Sequence, residues 1–147
     1  MLKKTVTYTD YNGVDHTEDF YFNLSKVECI ELEYSLGPGN SLSDVITILI
    51  NNNDIGTIIS TIKKIVLTAY GEKSPDGKRF VKSDEMRDEF SQTVVFENIY
   101  WELVTNPEKA ADFIAGILPS DLRNNLGPNP KAEIMDRMKL IQDQQNQ

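Results

Sequence analysis

LKKTVTYTDYNGVDHTEDFYF, residues 2–22, decides the fold, because two runs of strand-forming residues flank a single turn at Asn12-Gly13. A two-residue loop there would set Asp10 opposite Asp15, and like charges facing each other across strands are unfavourable. A three-residue loop, Tyr11-Asn12-Gly13 with Gly13 in the left-handed region, avoids that pairing. This register gathers Leu2, Val6, Tyr8, Val14, His16, Phe20 and Phe22 on one face. It turns Lys3, Thr5, Thr7, Thr9, Asp15, Thr17 and Asp19 to water, with Tyr21 the exception. A lone hairpin is marginal in water, so the apolar face must pack on helices or on another copy.

Downstream the apolar spacing changes from a period of two to the helical period. Ser25-Lys26-Val27-Glu28 has capping-box spacing and opens a first helix, which Gly37-Pro38-Gly39 stops. Ser41 and Asp44 repeat the cap signal before Val45, Ile46, Leu49 and Ile50, and Asn51-Asn52-Asn53 ends that segment. Asp54 caps a third helix whose stripe is Ile55, Ile58, Ile59, Ile62, Val66 and Ala69, with Gly71 as its stop. Ser83 caps a helix carrying Met86 and Phe90. Phe96, Ile99, Tyr100 and Leu103 follow at helical spacing, with Trp101 broadening the stripe. Asn106-Pro107 is an N-cap followed by proline at the first helical position, leading to Ala110, Phe113, Ile114 and Ile117.

The expected fold class is therefore α+β, mostly α: an N-terminal β-hairpin packed on a bundle of about five helices. Residues 1–126 are expected to form this globular domain. Residues 127–147, opening with Gly127-Pro128-Asn129-Pro130, read as a linker followed by a short C-terminal helix or a flexible tail.

Composition narrows the function. The chain has 147 residues, 39% of them hydrophobic and 26% charged, which is ordinary for a soluble domain. Its net charge of −8 repels phosphate backbones, so nucleic acid is not an expected partner. No run approaches the roughly 20 apolar residues that span a bilayer, and no apolar stretch follows the N-terminal lysines, so neither a membrane nor secretion is expected. One cysteine, Cys29, suits a reducing compartment and reads as a small buried residue. One histidine and one cysteine are too few for a zinc site or a Cys–His dyad, and no cofactor is expected.

The segment YGEKSPDGKRFVKSDEMRDEFSQ, residues 70–92, invites comparison with a phosphate-binding loop. Five residues separate Gly71 from Gly77 where four are needed, and Arg79 follows the lysine, so the match fails. Ser74-Pro75-Asp76-Gly77 reads as a turn, with Pro75 fixing φ and Gly77 free to take positive φ. Glu28, Glu31, Asp84, Glu85, Asp88 and Glu89 fall on solvated helix faces, where acid–base catalysis has no purchase. His16 faces the apolar side of the hairpin with Tyr8 opposite, as a packed residue. Lys78-Arg79-Phe80 differs in kind: two cations and an aromatic beside a turn suit partner contact. Its bland alternative is that Phe80 only anchors the loop to the core.

KKTVTYTDYNG at residues 3–13, DFYFNLSK at 19–26, AYGEKSPDGKRF at 69–80, EFSQT at 89–93 and FIAGILP at 113–119 together resemble the tail assembly chaperones of long-tailed bacteriophages of Gram-positive hosts. The likeness departs at residues 94–99 and after Pro119. What the resemblance implies is a non-catalytic protein of the host cytoplasm that binds the tape measure protein and assists tail tube assembly. Partners implied are the tape measure protein, the tail tube protein and further copies of the chain. Two other readings stand beside it: an acidic DNA mimic that inhibits a host nuclease or polymerase, and a minor structural virion protein. Lys and Arg interleaved with the acids between residues 72 and 89 weigh against the mimic.

Overall fold

The computed structural model describes residues 1–35 and 55–120. The expected stop at residues 37–39, the helix expected at residues 41–50 and the boundary near residue 126 lie outside them, as does the segment 127–147. The hairpin forms as its hydrophobic pattern requires. Strand β1 (Leu2–Thr9) pairs antiparallel with β2 (Asp15–Phe22), from Leu2 opposite Phe22 to Thr9 opposite Asp15. Asp10 N–H donates to the Val14 carbonyl (2.8 Å) and Gly13 N–H to the Asp10 carbonyl (3.0 Å), closing the three-residue loop. Gly13 takes a φ of 81°, as this loop demands. On the outward face Thr5 donates to Asp19 (2.6 Å), Thr7 meets Thr17 (3.0 Å) and Thr9 donates to Asp15 (2.7 Å). Val14 departs from expectation at 52% exposed. Leu2, Val6 and Tyr8 of β1 pack against the core, while Tyr11 at the turn is, like Val14, exposed.

Five helices follow among the described residues: α1 (Lys26–Ser35), α2 (Ile55–Ala69), α3 (Asp84–Ser91), α4 (Val94–Thr105) and α5 (Pro107–Ile117). The chain is α+β and mostly α. The capping box closes at both ends, with Glu28 N–H donating to Ser25 Oγ (3.1 Å) and Ser25 N–H to Glu28 Oε1 (3.0 Å). Ser83 caps α3 and Asn106 caps α5, with Pro107 opening it. A break at Gln92-Thr93 divides α3 from α4. Thr93 makes that break by accepting the Phe96 N–H at 3.1 Å while donating to the Phe90 carbonyl at 2.7 Å.

The sheet is larger than the hairpin. Strand β3 (Tyr70–Lys73) adds to β2, and β4 (Phe80–Val81) adds to β3, giving an antiparallel order β1-β2-β3-β4. Gly71 is thus a strand residue opposite Tyr21 and not the stop of a helix. Helix α2 passes into β3 at Ala69-Tyr70 without a connecting loop. A Cβ on Gly71 would sit 2.5 Å from Phe80 Cε1 and 2.9 Å from the Val81 carbonyl, so the bare glycine admits the neighbouring strand.

The core lies between the sheet and helices α1 to α5. Phe22 is fully buried and meets Phe113 edge-on at 5.2 Å, with Phe90 and Tyr70 near 6 Å. Tyr70 stacks on Phe90 at 3.9 Å and 7°. Cys29 is buried in α1, as expected of a small core residue. Trp101 is 67% exposed and does not broaden the stripe of α4. Two residues along a helix rotate a side chain by about 200°, so Trp101 lies opposite both Ile99 and Leu103.

Candidate functional site

Three neighbouring features meet around β3 and β4. The first is the tip that joins them. Ser74 is buried and organises it: its Oγ donates to Asp76 Oδ1 (2.6 Å) and accepts from Arg79 N–H (3.0 Å). Its carbonyl accepts from Gly77 N–H (2.8 Å), and Gly77 has a φ of 73°. These donors, Ser74 first and then the Lys78 N–H, hold the Asp76 carboxyl below its ordinary range. Lys78 and Arg79 project into solvent from this locked turn, while Phe80 is half-buried over Gly71. The three residues named from the sequence are therefore adjacent in chain but unlike in setting.

The second feature is Lys82, which no sequence signal singled out. Its ammonium donates to the Asn23 carbonyl (2.6 Å), Glu28 Oε2 (2.6 Å) and the Thr68 carbonyl (2.7 Å). It thereby joins the ends of β2 and α2, the first turn of α1 and the residue after β4. Glu28, expected to be solvated, is instead partly buried in this cage. Burial pulls the Lys82 ammonium below its ordinary pKa, and Glu28 opposes that pull. Burial also works to raise Glu28, but hydrogen bonds from Lys82 and Ser25 outweigh it and hold the carboxyl low. Three acceptors around one ammonium oppose the cost of its burial.

The third feature is a cleft of about 350 Å³ between the sheet face and α3. Tyr8, Phe20 and Tyr70 line the sheet side, Met86 and Phe90 come from α3, and Val94 and Val95 close the end. Asp10, Glu18, Glu72 and Glu89 rim it, and no lysine or arginine is among the lining residues. Burial first, then the Glu72, Glu89 and Glu18 charges, push the Tyr70 phenol up to about 12. Burial, Glu18 and Asp10 raise Tyr8 in the same way. The sequence held one clue: Glu18 occupies a core-facing position of β2, between His16 and Phe20, where the alternation calls for an apolar residue.

His16 sits at the turn end of the cleft. Its Nε2 lies 2.6 Å from Asp10 Oδ2 and its Nδ1 3.5 Å from Glu18, and the ring stacks on Tyr8 at 5.2 Å. The hydrogen bond with Asp10 raises the imidazole pKa and lowers that of Asp10, each against some desolvation. His16 is thus packed against Tyr8 as expected, and held by carboxylates. Among the described residues no three His, Cys, Asp or Glu side chains are grouped to hold a metal ion, and no helix is long and apolar enough to cross a membrane.

The arrangement places a hydrogen-bonded cationic tip and an acidic aromatic cleft on one sheet. Comparison with known proteins gives the context. A search of curated proteins and a search of solved structures return no match. The family model described as "Phage tail assembly chaperone" matches residues 1–147, the full length of the sequence. With every residue inside that match, including the tip, the Lys82 cage and the cleft, the chain belongs to the phage tail assembly chaperone family.

Proposed function

We propose that the chain acts without catalysis, binding the tape measure protein in the host cytoplasm, keeping its apolar helices in solution and assisting tail tube assembly around it. The motifs quoted above favour a long-tailed phage of a Gram-positive host. The observation that carries the reading is exposed apolar surface in a member of this family: an open aromatic cleft and, elsewhere on the helices, Val27, Ile30 and Trp101 exposed at 64%, 63% and 67%. Exposed apolar surface of this kind suits contact with other apolar surface, and the net charge of −8 favours solubility of the complex.

Lys78, Arg79 and Phe80 form a proposed partner contact, with the two cations reaching outward and Phe80 setting their base. Residues 1–126 are proposed as the folded unit and 127–147 as an appended tail, and self-association is part of the same reading. Co-expression with the tape measure protein of the same phage tests it. The soluble fraction of that protein should rise several-fold in the presence of this chain. If it is no more soluble than when expressed alone, the reading fails.

A further inference from the structure

Four carboxylates surround the cleft, yet their only cationic neighbour among the described residues is His16, which serves Asp10 and Glu18 at one end. Glu72 and Glu89 form no ion pair there. Negative charge is therefore concentrated beside a floor of Tyr8, Phe20 and Tyr70. The carboxylates are not grouped closely enough to share one metal ion. Spread along an apolar floor, they suit an extended occupant whose charge is positive and whose stem is hydrocarbon.

We infer that this cleft seats an arginine or lysine side chain carried on an apolar segment of the tail partner. The inference deepens the proposed function and rests on it for the identity of the partner. Aliphatic stems of Lys and Arg cover apolar surface while their heads reach charge. A guanidinium or ammonium over Tyr8 or Tyr70 adds attraction from the ring faces. Partner residues flanking the cation lie on Met86, Val94 and Val95. An uncharged apolar segment would leave Glu72 and Glu89 partly desolvated without compensation, and an acidic segment would be repelled. The cleft thus discriminates among apolar helices by charge.

The test uses the full chain and a labelled Leu/Ala helical peptide with one central arginine, read by fluorescence anisotropy and by amide chemical shifts. Matched peptides replace that arginine with lysine, norleucine or glutamate. The arginine and lysine peptides should bind and shift resonances of Tyr8, Phe20, Tyr70 and Met86, with affinity falling as salt rises. Combining Glu18→Gln, Glu72→Gln and Glu89→Gln should weaken binding on the order of tenfold, while Glu31→Gln, on the exposed face of α1 and outside the lining of the cleft, should leave it unchanged. Retained circular dichroism and an unchanged urea midpoint of the triple variant keep loss of binding separate from loss of fold. Equal binding of the norleucine peptide, or undiminished binding by the triple variant, overturns the inference. So does an effect of the triple variant on sedimentation of the protein alone, which would make a second copy the occupant. In the co-expression assay, a triple variant that solubilises the tape measure protein as well as wild type removes the cleft's role and leaves the proposed function standing. Peptide binding that depends on the cleft, with no solubilisation by wild type, does the reverse.

Discussion

Lys82 Nζ lies 2.6 Å from Glu28 Oε2, an ion pair between residues 54 positions apart in the chain. The same ammonium satisfies the carbonyls of Asn23 and Thr68, so its removal orphans three acceptors at once. Lys82→Met should destabilise the protein by about 2–4 kcal/mol, because a partly buried carboxylate is left without a counter-charge. Adding Glu28→Gln should recover part of that loss. Urea denaturation of the two single variants and the double variant measures the coupling. Additive effects would show that the pair does not act as a unit.

Gly71 and Gly116 both lie under a neighbour, but the neighbours differ in freedom. A Cβ on Gly71 meets the Phe80 ring at 2.5 Å and a backbone carbonyl at 2.9 Å, whereas on Gly116 its three nearest neighbours all belong to the Leu2 side chain, the first at 2.9 Å. Gly71→Ala should therefore cost about 1–3 kcal/mol by forcing β3 and β4 apart. Gly116→Ala should cost clearly less, since Leu2 can rotate away. Thermal midpoints of the two variants decide the order, and a larger loss for Gly116→Ala contradicts this packing.

The His16–Asp10 pair makes hairpin stability depend on pH from two sides. The raised imidazole contributes stability that is full below its unfolded value of about 6.5 and is lost as pH rises through its folded value. The lowered Asp10 carboxyl contributes stability present above about 3.9 and lost as pH falls through its folded value. The combined contribution should be greatest between those limits. In wild type the urea midpoint should decline from pH 6 to 8, and His16→Gln should flatten that decline. A midpoint that falls equally in both proteins would assign the slope to other groups.

Lys78 and Arg79 are exposed and make no side-chain contact on which the fold depends. Lys78→Ala with Arg79→Ala should shift stability by less than about 0.5 kcal/mol while reducing capture of the tape measure protein in co-expression. Phe80→Ala should instead cost on the order of 2–4 kcal/mol, since its ring fills the space above Gly71. Unchanged capture by the double alanine variant would reduce the tip to a structural turn.

Where a local rule governed the chain, the sequence was readable. Hydrophobic alternation and one glycine set the hairpin register, and the capping residues Ser25, Ser83 and Asn106 set three helix starts. Strands β3 and β4 were not readable in the same way. Tyr70–Lys73 and Phe80–Val81 are too short to show alternation: the first is a strand because it pairs with Phe22 and Tyr21, about fifty residues earlier, and the second because it pairs in turn with Lys73 and Glu72. Lys82 was hidden for a related reason, since its partners come from three distant segments. Of the candidate site, the turn at residues 74–77 was legible from Pro75 and Gly77. The cleft arises only when α3 settles against the sheet, and Glu18 on the core-facing side of β2 was its one trace.

The direct passage of α2 into β3 carries an evolutionary consequence. One inserted residue at Ala69-Tyr70 would rotate the stripe of α2 by about 100°. It would also exchange the faces of Tyr70 and Gly71 on the sheet. Neither error could be corrected without the other, so this junction should accept no insertion or deletion among relatives. The exposed tip at residues 75–79 carries no such double constraint. Length variation within the family should therefore collect at the tip, and partner range can diverge there while the scaffold keeps its dimensions.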